Sequence, residues 1–178
     1  QPSVSDIRRQ PTDNSGVTDS RMLVLFARAP IPGSVKTRLA GVLSADGAAR
    51  LYRAFLEDAA RVYAGPGWTA ALYADPDPRD ANLAAIFGGD WRLEVQGPGD
   101  LGRRLAAAFE AERFRGAESV LTVGSDHPAL PRKSLAALFA AVEGEADVAL
   151  VPAQDGGYCA IALASGTPTA AVFREIPW

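Results

Sequence analysis

Strands that alternate with amphipathic helices along 178 residues predict an α/β fold, a three-layer α/β/α arrangement with a mostly parallel central sheet. Met22–Phe26 and Ser119–Val123 are continuous apolar runs, as in strands buried on both faces. Ser44–Ala64 repeats apolar side chains at helical spacing, and clusters of Gly, Pro and Asp separate the two kinds of segment.

Gln1–Ser20 is polar, mixed in charge and poor in large apolar residues, without the apolar stretch of a secretory signal. It is expected to be a flexible leader (residues 1–20) to one domain over residues 21–178. The first strand is stopped by Pro30, Pro32 and Gly33, and helical spacing from Val35 onward puts Lys36 and Arg38 in a first helical turn. In Ser44–Ala64 the apolar stripe is Leu51, Phe55, Leu56, Ala59, Val62 and Tyr63, ended by Gly65-Pro66-Gly67. A strand over Trp68–Ala74 meets the turn Asp75-Pro76-Asp77-Pro78, then a short helix over Arg79–Phe87 and a strand over Trp91–Val95. Asp100–Phe114 is helical with Leu101, Leu105, Ala108 and Phe109 on one side. After the strand Ser119–Val123 come a helix over Ser134–Val142 and strands over Val148–Val151 and Tyr158–Leu163. Ligands of open α/β sheets bind outside the carboxyl ends of strands, so functional residues are expected in Arg28–Arg38, after Val123 and after Val151.

Composition narrows the class. The chain is 48% hydrophobic and 22% charged with a net charge of -3, and its pI near 5.2 lacks the basic footprint of a nucleic-acid binder. Apolar runs such as Ala136–Val142 are far shorter than the roughly 20 residues that cross a bilayer, so no transmembrane helix is expected. Cys159 is the single cysteine, cannot form an internal disulfide and lies in an apolar strand, which makes it a core thiol and favours a cytoplasmic setting.

Lys36-Thr37-Arg38, just after Gly33 and a buried strand, supplies cations for a phosphate; as cations at a helix start they oppose the helix dipole, which favours a bound anion over solvated charges. Val35 before Lys36 excludes a Walker A loop, and one glycine between prolines does not make the Gly-x-Gly-x-x-Gly of dinucleotide sites. In Gly124-Ser125-Asp126-His127-Pro128, Asp126 can hold a hard cation that also meets phosphate oxygens, Mg²⁺ needing only one or two protein carboxylates. The competing role for Asp126 or Ser125 is a turn cap, and His127 reads more readily as a neighbour of Asp126 than as a base. Gln154-Asp155-Gly156-Gly157-Tyr158 is either a ligand loop or an Asp-Gly hairpin turn. Asp100 in Pro98-Gly99-Asp100-Leu101-Gly102 reads first as a helix N-cap.

Phe26-Ala27-Arg28-Ala29-Pro30, Pro32-Gly33 with Val35-Lys36-Thr37-Arg38-Leu39, Gly99-Asp100-Leu101-Gly102, Gly124–Pro128 and Gln154–Tyr158 together resemble the small GT-A-type glycosyltransferase-like family once labelled a domain of unknown function, some of whose members are named for arsenosugar biosynthesis. The resemblance runs from Met22 to Trp178. It implies the nucleotide-diphospho-sugar transferase fold, with nucleotide bound by Arg28, Pro32, Gly33, Lys36, Thr37 and Arg38, by Gly99, Asp100 and Gly102 near base or ribose, and by Ser125. It further implies Mg²⁺ or Mn²⁺ on Asp126 and a small-molecule acceptor near Asp155, Gly156, Gly157 and Tyr158, with Lys36, Asp126 and Asp155 in the chemistry. Such proteins continue past an Ile-Pro-Trp element, here Ile176-Pro177-Trp178, into a helical region and an acidic Asp-x-Asp-Thr-Pro-like segment, so the C-terminal part of the family domain is expected to be missing. Three functions remain open at this stage: a metal-dependent glycosyltransferase using a nucleotide-diphospho-sugar, a nucleotidyltransferase that joins an NTP to a phosphorylated acceptor and releases pyrophosphate, and a non-catalytic nucleotide-binding module.

Overall fold

The chain builds the middle of its sheet first. In the computed structural model, which describes residues 20–79 and 83–173, β1 (Arg21–Arg28) lies between β2 (Thr69–Asp75) and β4 (Ser119–Gly124), parallel to both. The six-stranded order is β3-β2-β1-β4-β6-β5, with β3 (Trp91–Val95), β5 (Val148–Pro152) and β6 (Tyr158–Ala164). β6 is antiparallel to β4 and to β5, so the sheet is mixed, with one reversed strand in an otherwise parallel set.

Period-two alternation divides β1 between two cores. Leu23, Leu25 and Ala27 face α1 (Ala40–Tyr63) and α3 (Arg132–Glu143), while Met22, Val24 and Phe26 face α2 (Leu101–Phe114) and α4 (Thr169–Phe173). Both faces being covered explains the uninterrupted apolar run. The α1 face includes Tyr52, Leu56, Phe139 and Trp68, and the α2 face is closed by Phe109 against Phe173, ring centroids 5.4 Å apart.

Three local expectations need correction. Lys36 and Arg38 do not enter the first turn of the long helix: a 3₁₀ turn over Thr37–Leu39 follows a left-handed Lys36 (φ 49°), and α1 breaks at Ser44 (φ 62°), whose hydroxyl then caps Gly47 N at 3.2 Å. A three-residue 3₁₀ turn has little dipole to offer, so the helix-dipole part of the anion argument lapses. The α1 stripe is rotated, with Ala48, Tyr52, Leu56, Ala59 and Tyr63 buried and Val62 at the surface, because the core needs residues on the sheet-facing side of a helix that starts after Ser44. The expected helix over Arg79–Phe87 is a 3₁₀ turn at Leu83–Ala85, with residues 80–82 outside the described residues. The expected leader, residues 1–20, also lies outside them apart from Ser20, as does Ile176-Pro177-Trp178.

α2 carries one buried charge. Glu112 is fully buried and accepts from Tyr73 Oη at 2.5 Å, from Arg115 at 3.2 Å and from Arg92, while Arg92 and Arg115 also reach Glu94 at 2.6 and 3.0 Å. The network ties α2 to β2 and β3, and burial with the Glu112 bond pushes the Tyr73 phenol well above its usual range. Glu112→Gln keeps the shape but loses the charge that two guanidinium groups meet. It should cost about 1.5–3 kcal/mol, a melting temperature lower by about 3–12 °C; a melting curve superimposable on the parent's would show that the charge adds nothing.

Candidate functional site

The chain leaves β1, builds β2 and β3 on one side, then crosses back to place β4 on the other side of β1. This reversal opens a crevice at the carboxyl ends of β1 and β4, where open α/β sheets bind ligands. A cleft of about 990 Å³ lies there, lined among others by Arg28, Lys36, Arg38, Ser125, Asp126 and His127. A second cavity of about 660 Å³ at the opposite sheet edge is lined by Arg21, Ser119 and Glu143. There the Arg21 guanidinium pairs with Glu143 and holds that carboxyl below its usual range.

Tyr52 sets the floor of the crevice. Its hydroxyl accepts from Arg28 N at 3.1 Å and bonds Ser125 Oγ at 2.7 Å, while Ser125 N donates to Phe26 O at 3.1 Å. One phenol on α1 thereby fixes the ends of β1 and β4, and burial holds it above its ordinary pKa, as a protonated hydroxyl. Tyr63, also on α1, donates to the His127 and Leu130 carbonyls at 3.3 and 3.4 Å and so secures the next turn.

Lys36 Nζ lies 2.8 Å from Asp126 Oδ1. The cation expected to meet phosphate and the carboxylate expected to meet metal are each other's partners. Lys36 also stands 5.5 Å from the Phe55 ring centroid and 5.8 Å from that of Tyr52, so its stem is sheltered at 20% exposure while Asp126 remains 59% exposed. Among the described residues no three His, Cys, Asp or Glu side chains converge. One carboxylate whose second oxygen has no partner among the described residues fits a hard cation that completes its shell with water and phosphate oxygens, the usual manner of Mg²⁺, and not a cation caged by protein alone.

The far end of the cleft adds Gln96 and Arg104, which carried no expectation from the sequence, to the expected Gly99. Gln96 follows β3 and donates through Nε2 to Ala27 O and Tyr73 O, both at 2.9 Å. Arg104 donates from Nε to Gly99 O at 2.9 Å and from Nη1 to Asp75 Oδ2 at 2.9 Å and Gln96 Oε1 at 3.2 Å. Gly99 adopts φ +104°, a conformation that strains any residue with a Cβ and so favours glycine. Leu101, expected in the α2 core, is 44% exposed and lines the cleft. Arg104 was detectable: a cation in the first turn of a helix opposes the dipole, the same signal that drew attention to Lys36 and Arg38. Tyr52 and Gln96 left no such signal, one lost in an apolar stripe and the other a lone amide.

Of the remaining expected site residues, Thr37 and Gly99 line the cleft, whereas Pro32 and Gly33 lie in its loop without lining it. Asp100 is the N-cap of α2, accepting from Arg103 N at 2.8 Å, and Gly102 is buried in the first turn. Neither faces the cleft. Asp155 sits in the hairpin between β5 and β6, where Ala153 N donates to Gly157 O at 2.8 Å and Asp155 Oδ1 accepts from Gly157 N at 3.1 Å. Asp155–Tyr158 share the sheet edge of the cleft but not its lining. Cys159 is half-buried at the start of β6.

This strand order and its crevice are those of the nucleotide-diphospho-sugar transferase fold. A candidate nucleotide-diphospho-sugar transferase from Desulfovibrio desulfuricans G20 matches with a TM-score of 0.83 and 30% identity, over 89% of this chain and 69% of that one. The fold extends to a 4-diphosphocytidyl-2C-methyl-D-erythritol synthase from Anaerococcus prevotii DSM 20548 (TM-score 0.55, 12% identity, 90% and 79% covered). It also extends to a cytidylyltransferase from Leptospira borgpetersenii serovar Hardjo-bovis strain JB197 (0.55, 12%, 89% and 66%). The chain belongs to the family described as "uncharacterized protein conserved in bacteria" (DUF2064), which matches residues 58–178, a span that holds the Asp100, Asp126 and Asp155 loops and begins after the Lys36 loop. No curated protein matches it. Among the described residues no helix is long and apolar enough to cross a membrane.

Tyr52→Phe removes the acceptor of Arg28 N and the partner of Ser125 Oγ in a buried setting. Urea titration should register a loss of about 1–3 kcal/mol, and an unchanged midpoint would mean that the crevice floor does not depend on this hydroxyl.

Proposed function

We propose that the chain is a metal-dependent transferase that takes a nucleotide-diphospho-sugar as donor and a small molecule as acceptor. The observation that carries the reading is the concentration of Arg28, Lys36 and Arg38 beside Asp126 in one cleft at the switch point of the sheet. Lys36 and Arg38 bind the diphosphate, and Arg28 adds a third cation. Asp126 would hold Mg²⁺ or Mn²⁺ through its carboxylate, and such a cation neutralises charge on a phosphate leaving group.

In the transfer, an acceptor hydroxyl oxygen bonds to the anomeric carbon as the bond from that carbon to the β-phosphate oxygen breaks. The nucleoside diphosphate leaves with the electron pair and the hydroxyl proton passes to a base. Lys36 and Arg38 stabilise the charge that grows on the leaving diphosphate, the term that usually dominates phosphate chemistry. Asp155, on the hairpin at the same sheet edge, is the proposed base on the acceptor side. The second reading, nucleotidyl transfer, draws on the same three cations, which suit a triphosphate: acceptor phosphate attacks the α-phosphorus of an NTP and pyrophosphate leaves. Product analysis separates them. NDP release from an NDP-sugar supports the first, pyrophosphate from an NTP the second, and binding without either product leaves a binding module.

Lys36→Ala and Arg38→Ala should each weaken nucleotide binding by about 1.5–3 kcal/mol while the fold stays intact. Isothermal titration giving parent affinity in both would remove the phosphate reading. Asp126→Asn should abolish the Mn²⁺ dependence of nucleotide binding, because Asn preserves turn geometry but not charge; a retained dependence would return Asp126 to a turn role. Asp155→Ala should slow transfer by about 10²-fold or more with little change in nucleotide affinity. A lower melting temperature with an unchanged rate per folded molecule would leave Asp155 as a hairpin residue only.

A further inference from the structure

Arg104 is held more firmly than a helix-surface arginine needs to be. A guanidinium has five N–H donors. Three are committed: Nε to Gly99 O, and Nη1 to Asp75 Oδ2 and Gln96 Oε1. Nη2 has no hydrogen-bond partner among the described residues, and the residue lines the cleft. Its acceptors come from the end of β2 and from the segment after β3, and Gln96 is itself fastened to the carbonyls of Ala27 and Tyr73. The planar group is therefore fixed before any ligand arrives, with two hydrogens unspent. Such a group binds an oxygen acceptor at little entropic cost.

Its place along the sheet edge says which part of a ligand it meets. Lys36 and Asp126 stand at the end of β4, and Arg104 is anchored to Asp75 at the end of β2 and to Gln96, whose amide rests on carbonyls of β1 and β2, about two strands away. At about 4.8 Å per strand this is roughly 10 Å. A nucleotide whose phosphates lie on Lys36 and Arg38 puts its base, not its phosphates, at that distance.

We propose that Arg104 is a base-selecting residue of this cleft, favouring nucleobases with an exocyclic carbonyl (guanine, uracil or cytosine) over adenine. The inference rests on the nucleotide-binding reading above. A guanidinium edge donates well to a carbonyl oxygen, as in its pairing with guanine O6 and N7, whereas the corresponding adenine edge presents an amino group that is itself a donor. Leu101, exposed beside it in the cleft, gives the base an apolar surface, and Asp75 orients the guanidinium.

The test is titration of the full chain with ATP, GTP, CTP, UTP and tripolyphosphate, in the parent and in Arg104→Lys, with melting curves for both. The parent should bind ATP about 5- to 150-fold more weakly than the best of the other three nucleotides, the discrimination a good arginine contact provides. Lysine retains the charge but not the fork, so this ratio should collapse toward unity while tripolyphosphate affinity stays within about twofold, a pattern that a mere strut would not produce. Equal binding of all four nucleotides by the parent overturns the inference. So does a folded Arg104→Lys that keeps the parent ratio, or one that weakens tripolyphosphate as much as the nucleotides. Should the variant fail to fold, the parent's ratio alone decides. If the parent binds tripolyphosphate or nothing, and no nucleotide better, the proposed function falls as well; base-indifferent nucleotide binding removes the role of Arg104 alone.

Discussion

The burial of β1 on both faces is the constraint from which the rest follows. A strand covered by α1 and α3 on one side and by α2 and α4 on the other has to pair along both edges, and it does so with β2 and β4. Because β2 and β3 are added on one side of β1 before β4 is added on the other, the connections leaving β1 and β4 diverge at their carboxyl ends. The cleft is the gap that this divergence leaves. Tyr52 then bonds Arg28 N and Ser125 Oγ, so the gap has a defined floor.

The helix α2 that borders the cleft and the Lys36–Asp126 pair inside it are built with different electrostatics. Around Glu112 the charges are buried or half-buried and multiply bonded, and removing one partner of such a network leaves others uncompensated. Together with the Asp75–Arg104–Gln96 cluster it locks α2 onto β2 and β3. Asp126, by contrast, is exposed beyond half its surface and, among the described residues, has a single ionic partner in Lys36. Pairs exposed to that degree contribute about 0–1 kcal/mol, so exchanging this partner for a ligand costs little. The α2 anchorage is thus suited to hold its shape and the Lys36–Asp126 pair to change partners.

Most of the fold was legible because it rests on period and punctuation. The continuous apolar runs of β1 and β4, the Asp-Pro turn after β2 and the Asp-Gly hairpin between β5 and β6 are local signals, and each strand fell within a residue or two of its expected bounds. The errors lie where tertiary contacts decide. Leu51 and Val62 fit a helical stripe as well as Tyr52 does, and only the break at Ser44 sets which side of α1 meets the sheet. Likewise β6 is as apolar as a parallel strand would be; its reversal follows from the short hairpin, a connection too brief for a crossover. In the cleft, Lys36 and Asp126 could be found because charge next to a strand end is unusual. Gln96 could not, since its importance comes from two carbonyls contributed by other strands.

The pairing of Lys36 with Asp126 alters how both residues are understood. Read singly, one is a phosphate cation and the other a metal carboxylate, and each would have to be stable with its charge unmet. At 2.8 Å each supplies the other's counter-charge, while the rings of Phe55 and Tyr52 limit where the ammonium can go. A diphosphate offers Lys36 a stronger partner than one exposed carboxylate, because charge-assisted bonds to phosphate are among the strongest available to a side chain. On the proposed function, Lys36 would turn to phosphate and leave Asp126 as a carboxylate beside an anion, a position that is unfavourable unless a cation lies between them. Nucleotide and divalent cation would then be coupled by the chain's own charges: the ion pair in which Lys36 and Asp126 meet each other's charge without a ligand favours binding the two together.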